Sequence, residues 1–491
     1  MSKFPNNFLW GGAISAHQAE GGYNEGGRGL ARSDIMTGGS VNSPRKETYI
    51  DKDGNKCYLV HQTGVRLPEG AHYAVFEDEY YPNHVAIDFY HRYKEDIALL
   101  AEMGLKVFRM SISWSRLFPT GEEEVPNEAG IQFYTDVFNE LHKYNIEPLV
   151  TMWHDDTPLA LEEKYGGWTN RKLIKFYDRY AETCFTRFKG LVKYWLPFNE
   201  INNILMFLDM FGNTGSDEMN QKAYQELHYK FVATAHAVKK AHEVDPNNQV
   251  GCMICGVPFY PATCDPKDIL FNYHFWEKGI LYASNVLCRG KYPTFAKRLW
   301  DEHDVHLDIT EEDLKDIKEN TVDLYTFSYY MTSNVTTHSS DDIVGGNCTS
   351  GVRNPYLEYS EWGWSTDPLG LRYFLEKIYG MYEKPIIIVE NGLGAVDKLE
   401  EDGTVHDEYR IDYCRKHIEE MANAIRNGVD LRGYTPWGII DVISAGSGEM
   451  KKRYGFIYVD RQQDGSGTLD RYRKDSFYWY KKVIESNGEI L

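Results

Sequence analysis

Eight short apolar runs recur along the chain: FLWGGAIS (8–15), LKVFRMSIS (105–113), EPLVTMW (147–153), KYWLPFN (193–199), QVGCMICGV (249–257), VDLYTFSYY (322–330), KPIIIVE (384–390) and LRGYTPWGIID (431–441). They are apolar almost throughout instead of alternating, so each reads as a strand covered on both faces. Between them lie amphipathic stretches. Tyr134, Val137, Phe138 and Leu141, and again Leu173, Phe176, Tyr177, Tyr180 and Cys184, fall at the three- and four-residue intervals of one helical face. Eight strand–helix units of this kind close into an α/β fold, the (β/α)8 TIM barrel.

A chain of 491 residues is longer than such a barrel needs. The surplus falls at about 36–83, 203–220, 331–361 and 441–470, in each case after a strand. Loops that follow barrel strands build the active face, so the expectation is a single barrel domain over 1–491 with long βα-loop insertions around a substrate crater. No internal repeat, low-complexity segment or Pro/Gly/Ser linker divides the sequence.

A formal charge of −20 argues against nucleic acid or an anionic membrane as partner. An anionic small molecule would need a local basic island. MSKFPNNFLWGG lacks the apolar centre of a signal peptide, and no stretch of about 18 apolar residues appears, so a cytoplasmic protein is expected. The eight cysteines show no disulfide-framework spacing. Cys252 and Cys255 form a CxxC inside an apolar strand and read as buried thiols, not metal ligands, and the sequons at Asn334 and Asn347 carry no weight in that compartment.

Glu390 closes the seventh run and Glu200, in WLPFNEINN, follows the fourth. One acid at a strand end reads more simply as solvated. Two, brought to one rim by the barrel and each beside an amide (Asn199, Asn391), supply what glycosidic bond cleavage needs: an acid for the leaving oxygen and a carboxylate for the anomeric carbon. Tyr330, at the end of the sixth run, and Arg109, on the second, are placed to hold Glu390 ionised, although Arg109 reads equally well as part of an ordinary buried ion pair. Gln18 and Glu20, and His154 and Asp156, follow the first and third runs and join the same rim. Trp437 suits either core filling or stacking on a pyranose face.

The segments FLWGGAISAHQAEGG, FRMSISWSRLFPTG, WHDDTP, FNE, GWSTDPLGL and IIIVENG together resemble the successive signatures of the family 1 glycoside hydrolases. The resemblance implies a retaining mechanism with Glu200 as acid/base and Glu390 as nucleophile. It further implies glycone contacts from Gln18, His154, Asn199 and Trp437, support of the nucleophile by Arg109 and Tyr330, and Trp364 on the aglycone side.

One departure refines it. After the eighth strand most β-glucosidases of that family carry Glu–Trp, whereas here Ser444 and Ala445 are followed by the basic cluster Lys451, Lys452 and Arg453 and then Tyr454. This resembles the 6-phospho-β-glycosidases, in which the residues matching Ser444, Lys452 and Tyr454 bind the phosphate, and the small Ala445 points to glucosides. The expected substrate is a phosphorylated disaccharide or aryl glucoside, with no cofactor or metal, and Glu200 with the raised pKa of the pair, Glu390 the lowered one. The rival readings are a 6-phospho-β-galactosidase or dual enzyme, a noncatalytic phosphosugar sensor, and a metal-dependent hydrolase, the last weakened because His154 and Asp156 have no further His cluster. A homo-oligomer is left open.

Overall fold

In the computed structural model, which describes residues 3–40, 42–60, 67–209, 215–346 and 349–491, the eight runs are eight parallel strands. They are β1 (Leu9–Ala13), β2 (Val107–Ser111), β3 (Glu147–Trp153), β4 (Tyr194–Phe198), β5 (Gln249–Cys255), β6 (Leu324–Tyr329), β7 (Ile386–Asn391) and β8 (Leu431–Tyr434). Each pairs with its sequence neighbours, and β1 closes the barrel by pairing with both β8 and β2. The last strand is shorter than the apolar run suggested. Pro436, which has no N–H to donate, lies just beyond its end.

The continuous apolar character of the strands now has its cause. Ile387 and Val389 of β7 join Val107, Leu149, Leu196, Met253 and Leu324 inside the barrel, while Ile386 and Ile388 face the helices. Both faces are dry. The predicted helical faces lie on Glu128–Lys143 and Lys172–Arg187, whose Tyr134, Val137, Leu141, Leu173, Tyr177 and Tyr180 are buried.

The insertions take structure of their own. The first forms an antiparallel sheet of Lys46–Ile50, Lys56–Val60 and His72–Tyr73, and the third a hairpin of Ile343–Gly346 and Thr349–Val352 beside Ser333–Val335. The last is held by buried charges: Lys474 donates to Asp397 and, at 2.8 Å, to Asp441, which also accepts from Arg453 at 2.9 Å, while Arg410 pairs with Asp397 at 3.0 Å. All five side chains are within 9 % of full burial.

Cys252 and Cys255 are buried on β5, and no group of three or more potential metal ligands occurs among the described residues. Asn334 is buried in its strand, while Asn347 and Cys348 lie outside the described residues. No described helix is long and apolar enough to cross a membrane.

Because Lys474 is shared by two buried carboxylates, Lys474→Met leaves both undercompensated. The expected cost is about 3–5 kcal/mol, read as a lower denaturant midpoint; a wild-type midpoint would refute the anchoring role.

Candidate active site

Strand alternation alone would place Glu390 on the outward face with Ile386 and Ile388. It does not lie there, because the β6–β7 register pairs Phe327 with Ile388 and then Ser328 with Glu390, leaving Val389 as an extra residue. This bulge reverses the alternation and turns Glu390 over the barrel mouth. There Arg109 of β2 donates to Glu390 Oε1 at 2.5 Å and the Tyr330 hydroxyl donates to Oε2 at 2.8 Å. The guanidinium is fully buried and spends its other donors on Thr151 Oγ1 (3.0 Å), the Val389 carbonyl (3.2 Å) and Asn199 Oδ1 (2.8 Å). One cation thereby fixes groups from β3, β7 and the end of β4.

Glu200 follows β4 with a positive φ of 39°, a conformation a non-glycine residue adopts only under constraint from its surroundings. Its carboxyl is buried and accepts from Ser328 Oγ at 2.5 Å. Ser328 therefore touches one carboxylate with its hydroxyl and pairs in register with the strand position of the other. Burial, and next the negative charge of Glu390, push the Glu200 pKa up to about 8, against the opposing effect of Ser328. Glu200 is thus protonated at neutral pH.

Gln18, His154 and Trp437, singled out in the sequence, are each fixed by contacts of their own. Gln18 accepts from Ser15 at 2.8 Å and donates to the Ile443 carbonyl at 2.6 Å. His154 is driven far below its usual pKa by burial and by Arg109, so its ring is neutral, and its Nδ1 finds no hydrogen-bond partner among the described residues. Its ring centroid lies 5.7 Å from that of Trp437, which is held by a backbone bond to Asn391.

Three expectations need correction. Asn391 is not at the mouth: its amide donates to the Tyr329 carbonyl and to the Tyr413 hydroxyl and accepts from Tyr434, all in the buried outer layer, because the bulge that turns Glu390 in turns its neighbour out. Glu20 is spent on Arg116 (3.0 Å) and the Tyr134 hydroxyl (2.7 Å). Asp156 is buried beside Arg28 at 4.0 Å.

The basic cluster divides. Lys451 is exposed and pairs with Glu449 at 3.0 Å, and Arg453 turns inward to Asp441, so Lys452 alone joins the aromatic wall. Its ammonium lies 3.9 Å from the ring centre of Trp364, 5.3 Å from that of Trp362 and 5.7 Å from that of Tyr454. No carboxylate lies within ion-pair distance of it among the described residues, and burial lowers its pKa to about 8 against the opposing charge of Glu449. Tyr454 and Trp364 each contact the Tyr330 ring, at 6.2 and 5.4 Å, which connects this cation to the carboxylates. Ser444 stands at the start of a turn in which the Gly448 N–H reaches back to its carbonyl and Ser447 donates to its hydroxyl at 3.1 Å.

The paired strand-end acids on a parallel barrel define a glycoside hydrolase, and comparison with known proteins agrees: the profile of glycosyl hydrolase family 1 matches residues 1–62 and 71–489, and the chain belongs to that family. It is 47% identical to the aryl-phospho-beta-D-glucosidase BglA of Bacillus subtilis (strain 168) and 48% identical to the 6-phospho-beta-glucosidase AscB of Escherichia coli (strain K12), in each case over 100% of both chains. A solved structure of a family 1 β-glucosidase from Thermotoga maritima superposes with a TM-score of 0.79 at 29% identity, covering 99% of each chain.

Ser328, unnoticed in the sequence, is testable here. Its hydroxyl stabilises ionised Glu200, so Ser328→Ala should move the Glu200 titration to higher pH, followed through the carboxyl infrared band; a shift to lower pH would contradict this geometry.

Proposed function

We propose that the protein hydrolyses 6-phospho-β-D-glucosides, such as phosphorylated cellobiose or aryl glucosides, with retention, to glucose 6-phosphate and the free aglycone. The observation that carries this is Lys452, a buried ammonium walled by Trp362, Trp364 and Tyr454 and without a carboxylate in ion-pair contact among the described residues, in the same barrel mouth as Glu390 and a Glu200 whose pKa is raised to about 8. The family relatives named as phospho-β-glucosidases support the same substrate class.

Glu390 attacks the anomeric carbon while protonated Glu200 delivers its proton to the glycosidic oxygen, giving a glycosyl-enzyme and the free aglycone. Glu200, now ionised, takes a proton from the water that releases the sugar and regenerates Glu390. Arg109 and Tyr330 hold and orient the Glu390 side chain; Gln18, His154 and Asn199 hold sugar hydroxyls. Trp437 stacks on the ring and Trp364 borders the aglycone. Ser444, Lys452 and Tyr454 take the 6-phosphate, which restores to Lys452 the charge partner its burial demands.

Side-by-side turnover of para-nitrophenyl β-glucoside, its 6-phosphate and the galactoside 6-phosphate tests the reading. Strong preference for the glucoside 6-phosphate is expected. Equal use of both phosphates would make it a dual enzyme, and preference for the unphosphorylated sugar would overturn the phosphate assignment. Glu200→Gln should slow substrates with poor leaving groups by about 10²–10⁴-fold.

The pH profile separates the two sites. Glu200 must be protonated to give its proton, and Lys452 to hold a phosphate dianion, and both titrate at about 8. Above that pH, log kcat/KM for the 6-phosphate should fall with a slope approaching two, and for the unphosphorylated glucoside with a slope approaching one. Equal slopes would remove Lys452 from phosphate binding.

A further inference from the structure

Resting on the phosphate reading above, the structure assigns a further positioning and specificity role to Arg45, which lies in the first insertion, far from the rest of the site in sequence. Arg45 is 2 % exposed, and every donor it uses goes to a neutral acceptor: the carbonyls of Thr37 (3.0 Å), Met36 (3.1 Å) and Ala445 (3.0 Å) and the side chain of Asn83 (2.5 Å). No carboxylate pairs with it among the described residues, and Glu47, the acidic group that acts on it, is itself bonded to Arg32 at 2.8 Å. A buried guanidinium without an anion is costly, so its retention at this place needs a reason.

That reason is where its Nη1 ends. Gln18, on the sugar side, holds the carbonyl of Ile443 at 2.6 Å, and Arg45 holds that of Ala445. The two peptide carbonyls flanking Ser444 are thus pinned by two side chains, and the second clamp is linked to the first because Asn83 also donates to the His17 carbonyl at 2.7 Å. The turn is shaped to admit the guanidinium: at Gly448, whose φ is +69°, an added Cβ would meet Arg45 Nε at 3.0 Å and Cζ at 3.3 Å. At Gly39 an added Cβ would meet the Ser447 carbonyl at 2.9 Å, so the insertion packs directly against the same turn. Arg45 therefore does two things for a 6-phosphate. It fixes the Ser444 hydroxyl relative to the sugar, and it places a second buried positive charge behind the turn, opposite in function to the acidic surface of the protein. Neither contribution serves a substrate that lacks the phosphate.

The test compares wild type, Arg45→Lys and Arg45→Met on para-nitrophenyl β-glucoside and its 6-phosphate. Arg45→Met should raise KM for the 6-phosphate by about 10–100-fold, with kcat and the kcat/KM for the unphosphorylated glucoside changed less than about threefold. Arg45→Lys should recover part of that loss. Should Arg45→Met fail to fold, Arg45→Lys decides alone: a rise in KM confined to the 6-phosphate supports the inference. Equal losses on both substrates, or no loss on either, would overturn it in favour of a purely structural arginine. Wild-type protein that prefers the unphosphorylated glucoside would instead overturn the phosphate reading itself, whatever the Arg45 variants do.

Discussion

The buried contact between Arg109 and Glu390 organises the catalytic end of the barrel. A guanidinium with no exposure at all cannot remain inside an apolar barrel unless its donors are met, and here they are met by β3, β7 and the residue after β4. Its position on β2 follows from strand alternation with Val107, which lines the barrel interior. Once the cation is there, Glu390 has a counter-charge, Asn199 has its orientation, and the neutrality that burial gives His154 is reinforced by the same field. The reacting groups do not each need a separate support, because one charge is shared among them.

The contrast between the two carboxylates follows from that asymmetry. Glu390 has a cation and a phenol on its two oxygens, whereas the Ser328 hydroxyl and the Cys255 thiol that reach Glu200 are both neutral, and it feels the repulsion of its neighbour. Burial costs both groups, but only Glu390 is compensated by a full charge. The proton therefore resides on Glu200, and division of labour between chemically identical side chains emerges from their neighbours alone.

Much of this was legible in the chain. Strands dry on both faces and helical faces at regular spacing are enough to require a barrel, and barrel geometry brings strand-end polar residues to one rim. What periodicity could not reveal is the bulge at Val389, since an extra residue leaves no mark in an unbroken apolar run. Read by alternation, IIIVEN sends Glu390 toward the helices; it was the chemistry of an acid at such a place, not the period, that marked it. The same bulge explains why Asn391, equally polar and next in sequence, serves the outer layer. Ser328 and Arg45 stayed hidden for a different reason: their partners lie 128 and 400 positions away, and a serine in a strand or an arginine in a loop has no local signature of such contacts.

Seen together, the two ends of the site solve opposite electrostatic problems with the same means. At the chemical end a buried cation is matched by a fixed carboxylate, so the pair is complete before substrate arrives. At the turn around Ser444, Lys452 and Arg45 are buried against rings and carbonyls, which soften the desolvation cost of a cation without cancelling its charge. On the proposed reading, an anion entering there gains from both. In a protein of net charge −20, whose long-range field opposes an approaching phosphate, affinity must come from cations left uncompensated at short range. On the proposed reading, placing them behind a turn, with Glu449 and Glu47 acting on them only from beyond ion-pair distance, leaves that charge for a phosphorylated substrate.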